Sequence, residues 1–231
     1  MTDIAKPPAR DPFDLPDVST LTVGVLGGTG EQGRGLAYRW AQAGQRVIIG
    51  SRDEQRAQAV AADLGATVEG ATNVVCAARA DVVVAAVPWA GHEALLTELR
   101  TALAGKIIVD CVNPLGFDKQ GAFALAVAQG SAAQQAAELL PDSTVVAAFH
   151  HISAVLLLDD SVPTLDTDVL VLGDKREATD TVQALANRIP GLRGIYGGRL
   201  RNAAQVEAFT ANLISINRRY KAHGGVRITD V

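Results

Sequence analysis

Five short, almost unbroken apolar runs constrain this chain more than any other feature: LTVGVL (21–26), RVIIG (46–50), DVVVAAV (81–87), KIIVD (106–110) and STVVAAF (143–149). None alternates apolar with polar residues, as a strand with one wet face would. Runs of this kind belong to strands buried on both faces, in a parallel sheet covered by helices. Alanine-rich helical stretches separate them: Gly30 to Ala43, closed by Gly44, then Asp53 to Leu64, Thr72 to Ala78 and Ala90 to Leu103. Another follows Ser131, whose spacing to Gln134 predicts reciprocal capping of a helix start. Beyond His151 come a weaker strand, DVLVLG (168–173), a helix near 175–188 and a long apolar helix near 200–217.

The fold class expected is α/β, a doubly wound and mostly parallel sheet with a small carboxyl-terminal α/β extension. The first strand runs straight into Gly28, Gly30 and Gly33, a G-x-G-x-x-G loop that opens the first helix. In that setting the spacing is the Rossmann fingerprint for a dinucleotide. The first glycine is read as permitting the turn, the second as letting backbone approach a pyrophosphate, and the third as letting helix pack on strand. Free amides at the helix start then face the anion. Where a ribose-binding acid would end the second strand of an NAD protein, this chain reads IIGSRDEQR. Ser51, Arg52 and, one turn on, Arg56 suit a 2′-phosphate, so the cofactor expected is NADP. Ser51 with Glu54 also fits a helix-capping pair, while Asp53 reads as a first-turn acid favouring the helix dipole. The divisions expected are a flexible proline-rich extension (1–19), an NADP-binding domain (20–149) and a smaller domain completing a second cleft (150–231).

Composition narrows the class. A formal charge of −4 argues against a general nucleic-acid binder. Cys76 and Cys111 show no paired spacing and read as buried or idle thiols of a reducing compartment. No stretch reaches the roughly 18 unbroken apolar residues of a membrane helix, and residues 1–19 lack the apolar run of a signal peptide. The expected address is the cytoplasm.

Two further strand ends should lie over the cofactor, AVPWAGH (86–92) and VDCVNPLGF (109–117). There Trp89 either lines the ribose region or packs a helix, and Asn113 either faces the nicotinamide or forms a turn. AAFHHISAVLLLD (147–159) describes an apolar wall suited to a ring system, in which His150 and His151 serve either as acid or base or as wall. No cysteine, histidine or carboxylate spacing completes a metal site, and no serine triad supports hydrolysis. Residues 188–227 carry Arg188, Arg193, Arg199, Arg201, Arg218, Arg219, Lys221 and Arg227 against Glu207 alone. These bases either attract an anionic ligand tail or form a solvated face. VEAFTANLISI (206–216) suits either a homodimer contact or the core.

GVLGGTGEQGRGLA, GSRDEQRA, VPWAGH, DCVNPL, FHHISA and GGRLRNA, in this order across residues 21 to 210, resemble the NADP oxidoreductases that use coenzyme F420, an 8-hydroxy-5-deazaflavin. The resemblance implies direct, reversible hydride transfer between C4 of the nicotinamide and C5 of a stacked deazaflavin. It implies NADP contacts from Thr29, Gly30, Glu31, Gln32, Ser51, Arg52, Arg56, Val87 and Ala154, and F420 contacts from His150, Ile152 and Leu200. The basic tail, Arg199 and Arg201 above all, would meet the anionic lactyl-phosphate and glutamate chain. Holding two rings face to face needs no protein nucleophile. The rival readings are an NADPH-dependent flavin, ferric or imine reductase on the same fold, and an NADP-binding redox sensor without turnover.

Overall fold

The computed structural model describes residues 11–231, so the first ten residues of the expected extension lie outside the described residues. The apolar runs become β1 (Thr22–Leu26), β2 (Arg46–Ser51), β4 (Val82–Ala85), β5 (Ile107–Asp110) and β8 (Thr144–Ala147), and DVLVLG becomes β9 (Thr167–Gly173). Four strands were not expected: β3 (Val68–Thr72), the hairpin β6 (Leu115–Asp118) with β7 (Gly121–Ala124), and β10 (Leu192–Gly198). The sequences of β3 and β10, VEGAT and LRGIYGG, carry glycines and polar residues because these strands lie at the two sheet edges, where burial is partial. The hairpin is set by Asp118, whose Oδ1 accepts from the backbone N–H groups of Gln120 (2.7 Å) and Gly121 (3.2 Å).

The helices are α1 (Glu31–Gln42), α2 (Glu54–Leu64), α3 (Asn73–Arg79), α4 (Trp89–Leu103), α5 (Ala132–Leu139), α6 (Ala154–Leu157), α7 (Arg176–Asn187) and α8 (Ala203–Tyr220), the last entered through a 3-10 turn (Leu200–Asn202). Ser131 caps α5 by accepting from Gln134 N at 3.0 Å. The single-turn α6 was not expected.

One eight-stranded sheet runs β10-β9-β8-β5-β4-β1-β2-β3. From β8 to β3 every pairing is parallel; β9 joins β8 antiparallel, and β10 joins β9 parallel. The carboxyl-terminal strands thus extend the sheet that the glycine loop belongs to. Helices bury both faces, with Val23, Val25, Trp40 and Ile49 in one core layer and Leu26, Leu96 and Ile108 in the other. Trp40 Nε1 donates to Leu185 O at 2.9 Å, tying α1 to α7. The expected extension is held before it ends: Val18 is buried, and its carbonyl accepts from Gln45 Nε2 at 2.9 Å.

Candidate functional site

The chain turns from β1 to β2 on one side and returns to β4 on the other, so the carboxyl ends of β1 and β4 frame the crevice where open α/β sheets bind ligands. The tight turn there belongs to Gly27, one residue before the expected position. Its φ is +75°, and a Cβ on it would sit 2.4 Å from Ala86 O. Gly28 serves close packing instead: its Cβ would sit 2.6 Å from Ile49 Cβ, as that of Gly33 would sit 2.7 Å from Gly27 O. Gly30 precedes α1 with extended backbone and no side-chain cap, which leaves first-turn amides to an anion.

A cleft of about 630 Å³ opens at this turn, lined by Thr29 and Gly30, by Ser51, Arg52 and Arg56, by Asn73 and by Val87. The expected Ser51–Glu54 capping pair is not formed. Asp53 caps α2, accepting from Arg56 N at 3.1 Å, because its backbone rather than that of Ser51 holds the cap position. Ser51 Oγ accepts from Asp53 N at 3.2 Å and keeps its O–H for donation. Asn73 is buried with its Oδ1 unpartnered among the described residues. Bare backbone at the helix start, two exposed guanidiniums and a waiting amide fit a phosphorylated dinucleotide. Glu31 is exposed on the first turn of α1. Gln32, next to it, sends Nε2 toward Phe149 O at 3.4 Å.

The neighbouring strands β5 and β8 end on the same side of the sheet. Phe149, just past β8, holds φ at +64°, a conformation costly for a bulky residue, while its ring meets Trp40 edge-on at 5.5 Å. The two histidines that follow have different fates. His151 Nε2 donates to Val206 O at 2.7 Å, and its ring abuts Phe209. Burial lowers its pKa, with the Val206 carbonyl opposing. Both nitrogens of His150 are buried without a partner among the described residues. Burial, only partly offset by the charge of Asp110, pushes His150 down to about 3, so its ring is neutral at physiological pH. Asn113 Nδ2 donates to His150 O at 3.3 Å, and Thr210 Oγ1 lies 3.2 Å from Asn113 Oδ1. Ile152 is buried in the core layer of Phe149 and Trp40, and Ala154 opens α6 half-buried. Leu200 is buried in the other layer, with Ala203 and Val206.

A cluster behind this wall went unread in the sequence. His92 Nε2 lies 2.6 Å from Asp110 Oδ2, and its Nδ1 lies 3.0 Å from Gln135 Oε1. Burial works against a charge on His92, but the bond to Asp110 and its charge outweigh that and raise the pKa. Trp89 stacks on this ring at 5.5 Å. Glu207 of α8 accepts from Ala132 N (2.8 Å) and Ala133 N (3.1 Å), and burial raises its carboxyl to about 7. The aspartate closing the apolar run KIIVD was the available signal, because a buried charge requires a partner.

Much of the basic tail is spent inside the fold. Arg193 holds buried Asp168 through two bonds of 2.8 Å, Arg227 reaches the same carboxylate at 3.3 Å, and Arg188 donates to Ala43 O. Arg199 lies 3.6 Å from Asp174, while Arg201, Arg218, Arg219 and Lys221 are exposed.

The family described as "NADP oxidoreductase coenzyme F420-dependent" matches residues 22–114. The F420-dependent NADP reductase of Methanothermobacter thermautotrophicus is 40% identical over 226 residues, covering 93% of this chain and 97% of the relative. That of Methanocaldococcus jannaschii is 36% identical, covering 91% and 99%. A crystal structure of a protein from Arthrobacter sp. FB24 superposes with a TM-score of 0.78 at 28% identity, covering 90% of this chain and 99% of that one. Identity of 36–40% along nearly the whole length of these relatives places this chain in the family of coenzyme F420-dependent NADP oxidoreductases.

Proposed function

We propose that this protein transfers a hydride directly and reversibly between NADP(H) and coenzyme F420. The observation that carries the reading is the cleft at the β1 and β4 ends, with Ser51, Arg52 and Arg56 at one corner. When bound, the nicotinamide and the deazaflavin supply the carbons between which the hydride moves. Thr29, Gly30, Glu31 and Gln32 would hold the pyrophosphate end, and Ser51, Arg52 and Arg56 the 2′-phosphate. Val87 and Ala154 would border the nicotinamide. His150, Ile152 and Leu200 would border the deazaflavin, and Asn113 Nδ2 holds the backbone carbonyl of His150. The protein's part is to bind, orient and exclude water.

The assay is NADPH oxidation by purified protein with F420, with FMN and with no acceptor. Turnover with F420 well above the other two is expected; turnover with FMN alone would move the activity to flavin reduction, and none at all would leave an NADP-binding sensor.

The protein is read as a homodimer, supported by the aromatic residues Phe117, Phe123, Phe209 and Tyr220 exposed on the hairpin and α8. A cytoplasmic setting is supported by two buried free thiols, Cys76 and Cys111. Among the described residues no helix is long and apolar enough to cross a membrane.

A further inference from the structure

Helix α1 begins at the glycine turn, and one of its faces holds the segment that carries the ring wall. Gln32 reaches Phe149 O at 3.4 Å, and the Tyr38 hydroxyl donates to Asp160. A Cβ on Gly35 would sit 2.7 Å from Leu157 Cβ, so α6 lies directly on the backbone of α1. Between these contacts sits Arg39, 7% exposed. Its Nε donates to Leu157 O at 2.7 Å, and its Nη2 donates to Leu156 O at 2.7 Å and Asp159 O at 2.9 Å.

Two physical points make this more than packing. A helix of four residues cannot sustain itself, and the backbone bonds that close it are long, Leu158 N to Ala154 O and Val155 O at 3.3 Å and Asp159 N to Leu156 O at 3.4 Å. A buried guanidinium is also a costly way to fill space, and an apolar side chain would commonly serve stability as well or better. What the guanidinium adds is a rigid planar fork that fixes three carbonyls in set directions; lysine carries three donors on a flexible stem, and a hydrophobe carries none.

We infer that Arg39 is a positioning residue: it keys residues 149–160 to α1, so that the wall built on His150, Ile152 and Ala154 stands at a fixed offset from the glycine turn. The inference rests on the hydride-transfer reading above. One rigid helix then sets both halves of the reacting pair. A displacement of about 1 Å in such a pair costs on the order of a hundredfold in rate.

The test compares wild type with Arg39→Met and Arg39→Lys by NADPH titration, by kcat with F420, and by amide hydrogen exchange of the ligand-free proteins. In Arg39→Met the expected results are NADPH affinity within about threefold of wild type, kcat lowered about tenfold to a hundredfold, and faster exchange across 149–160 with 22–33 unchanged. Arg39→Lys should fall between, and added guanidinium ion should restore part of the rate to Arg39→Met. Wild-type kcat in the folded variant, unaltered exchange across 149–160, or NADPH affinity falling in step with kcat would each overturn the inference. If Arg39→Met does not fold, Arg39→Lys decides by the same three readouts. If wild type fails to turn over F420, the substrate reading falls, while hydrogen exchange still tests the hold of Arg39 on the segment.

Discussion

At the scale of single residues, the proposed nucleotide choice rests on charge at the end of β2. Arg52 and Arg56 are exposed at the cleft and would form charge-assisted bonds only with the 2′-phosphate. Replacing both with alanine should raise KM for NADPH about tenfold to a hundredfold, the range of one or two such bonds, and leave KM for NADH near its starting value. Parallel initial-rate series with the two nucleotides check this, and equal losses for both would refute it. The place of Ser51, Arg52 and Arg56 at the cleft was legible because they sit at a fixed distance from a recognisable strand. The turn glycine was misread by one position, since the spacing of Gly28, Gly30 and Gly33 holds whichever neighbour takes positive φ. The two histidines could not be told apart from their neighbours. His151 finds Val206 55 residues away, and His150 is recognisable only by its lack of a partner once the wall is folded.

At the scale of elements, α8 is docked by polar groups rather than by its apolar stripe alone: Val206 O receives His151, Glu207 caps α5, and Thr210 meets the loop of Asn113. Burial raises Glu207 to about 7, above its usual carboxylate value, and Asp110 nearby adds to the effect. The folded protein therefore holds this proton more tightly than the unfolded chain does. Its contribution to stability is complete below about pH 4.5 and is lost as pH rises toward 7. His92 and Asp110 face the same carboxyl from α4 and β5. Glu207→Gln removes the titration, so its stability relative to wild type should improve between pH 5 and pH 8 by on the order of 3 kcal/mol. Urea unfolding of both proteins at the two values measures the difference, and an unchanged gap would refute it. The helix start at Ser131 was legible from a four-residue pattern, whereas the second cap, from Glu207, joins residues 75 apart.

At the scale of the whole molecule, the hairpin and α8 leave Phe117 70% and Tyr220 72% exposed, the surface on which the proposed dimer contact rests. A dimer mass is expected by light scattering at micromolar concentration, with Phe117→Glu shifting the population toward monomer; a monomer mass for wild type would dispose of the assembly. The sequence by itself determined the parallel sheet, the glycine turn after β1 and the basic end of β2 at the cleft, because period, glycine spacing and strand-end charge act within a few contiguous residues. Only the tertiary structure decided that β9 runs against β8, that His92 lies between Asp110 and Gln135, and that Arg39 holds carbonyls up to 120 positions away. Those partners meet through strand order and helix packing. No local pattern encodes either, since each contact depends on where distant segments come to rest.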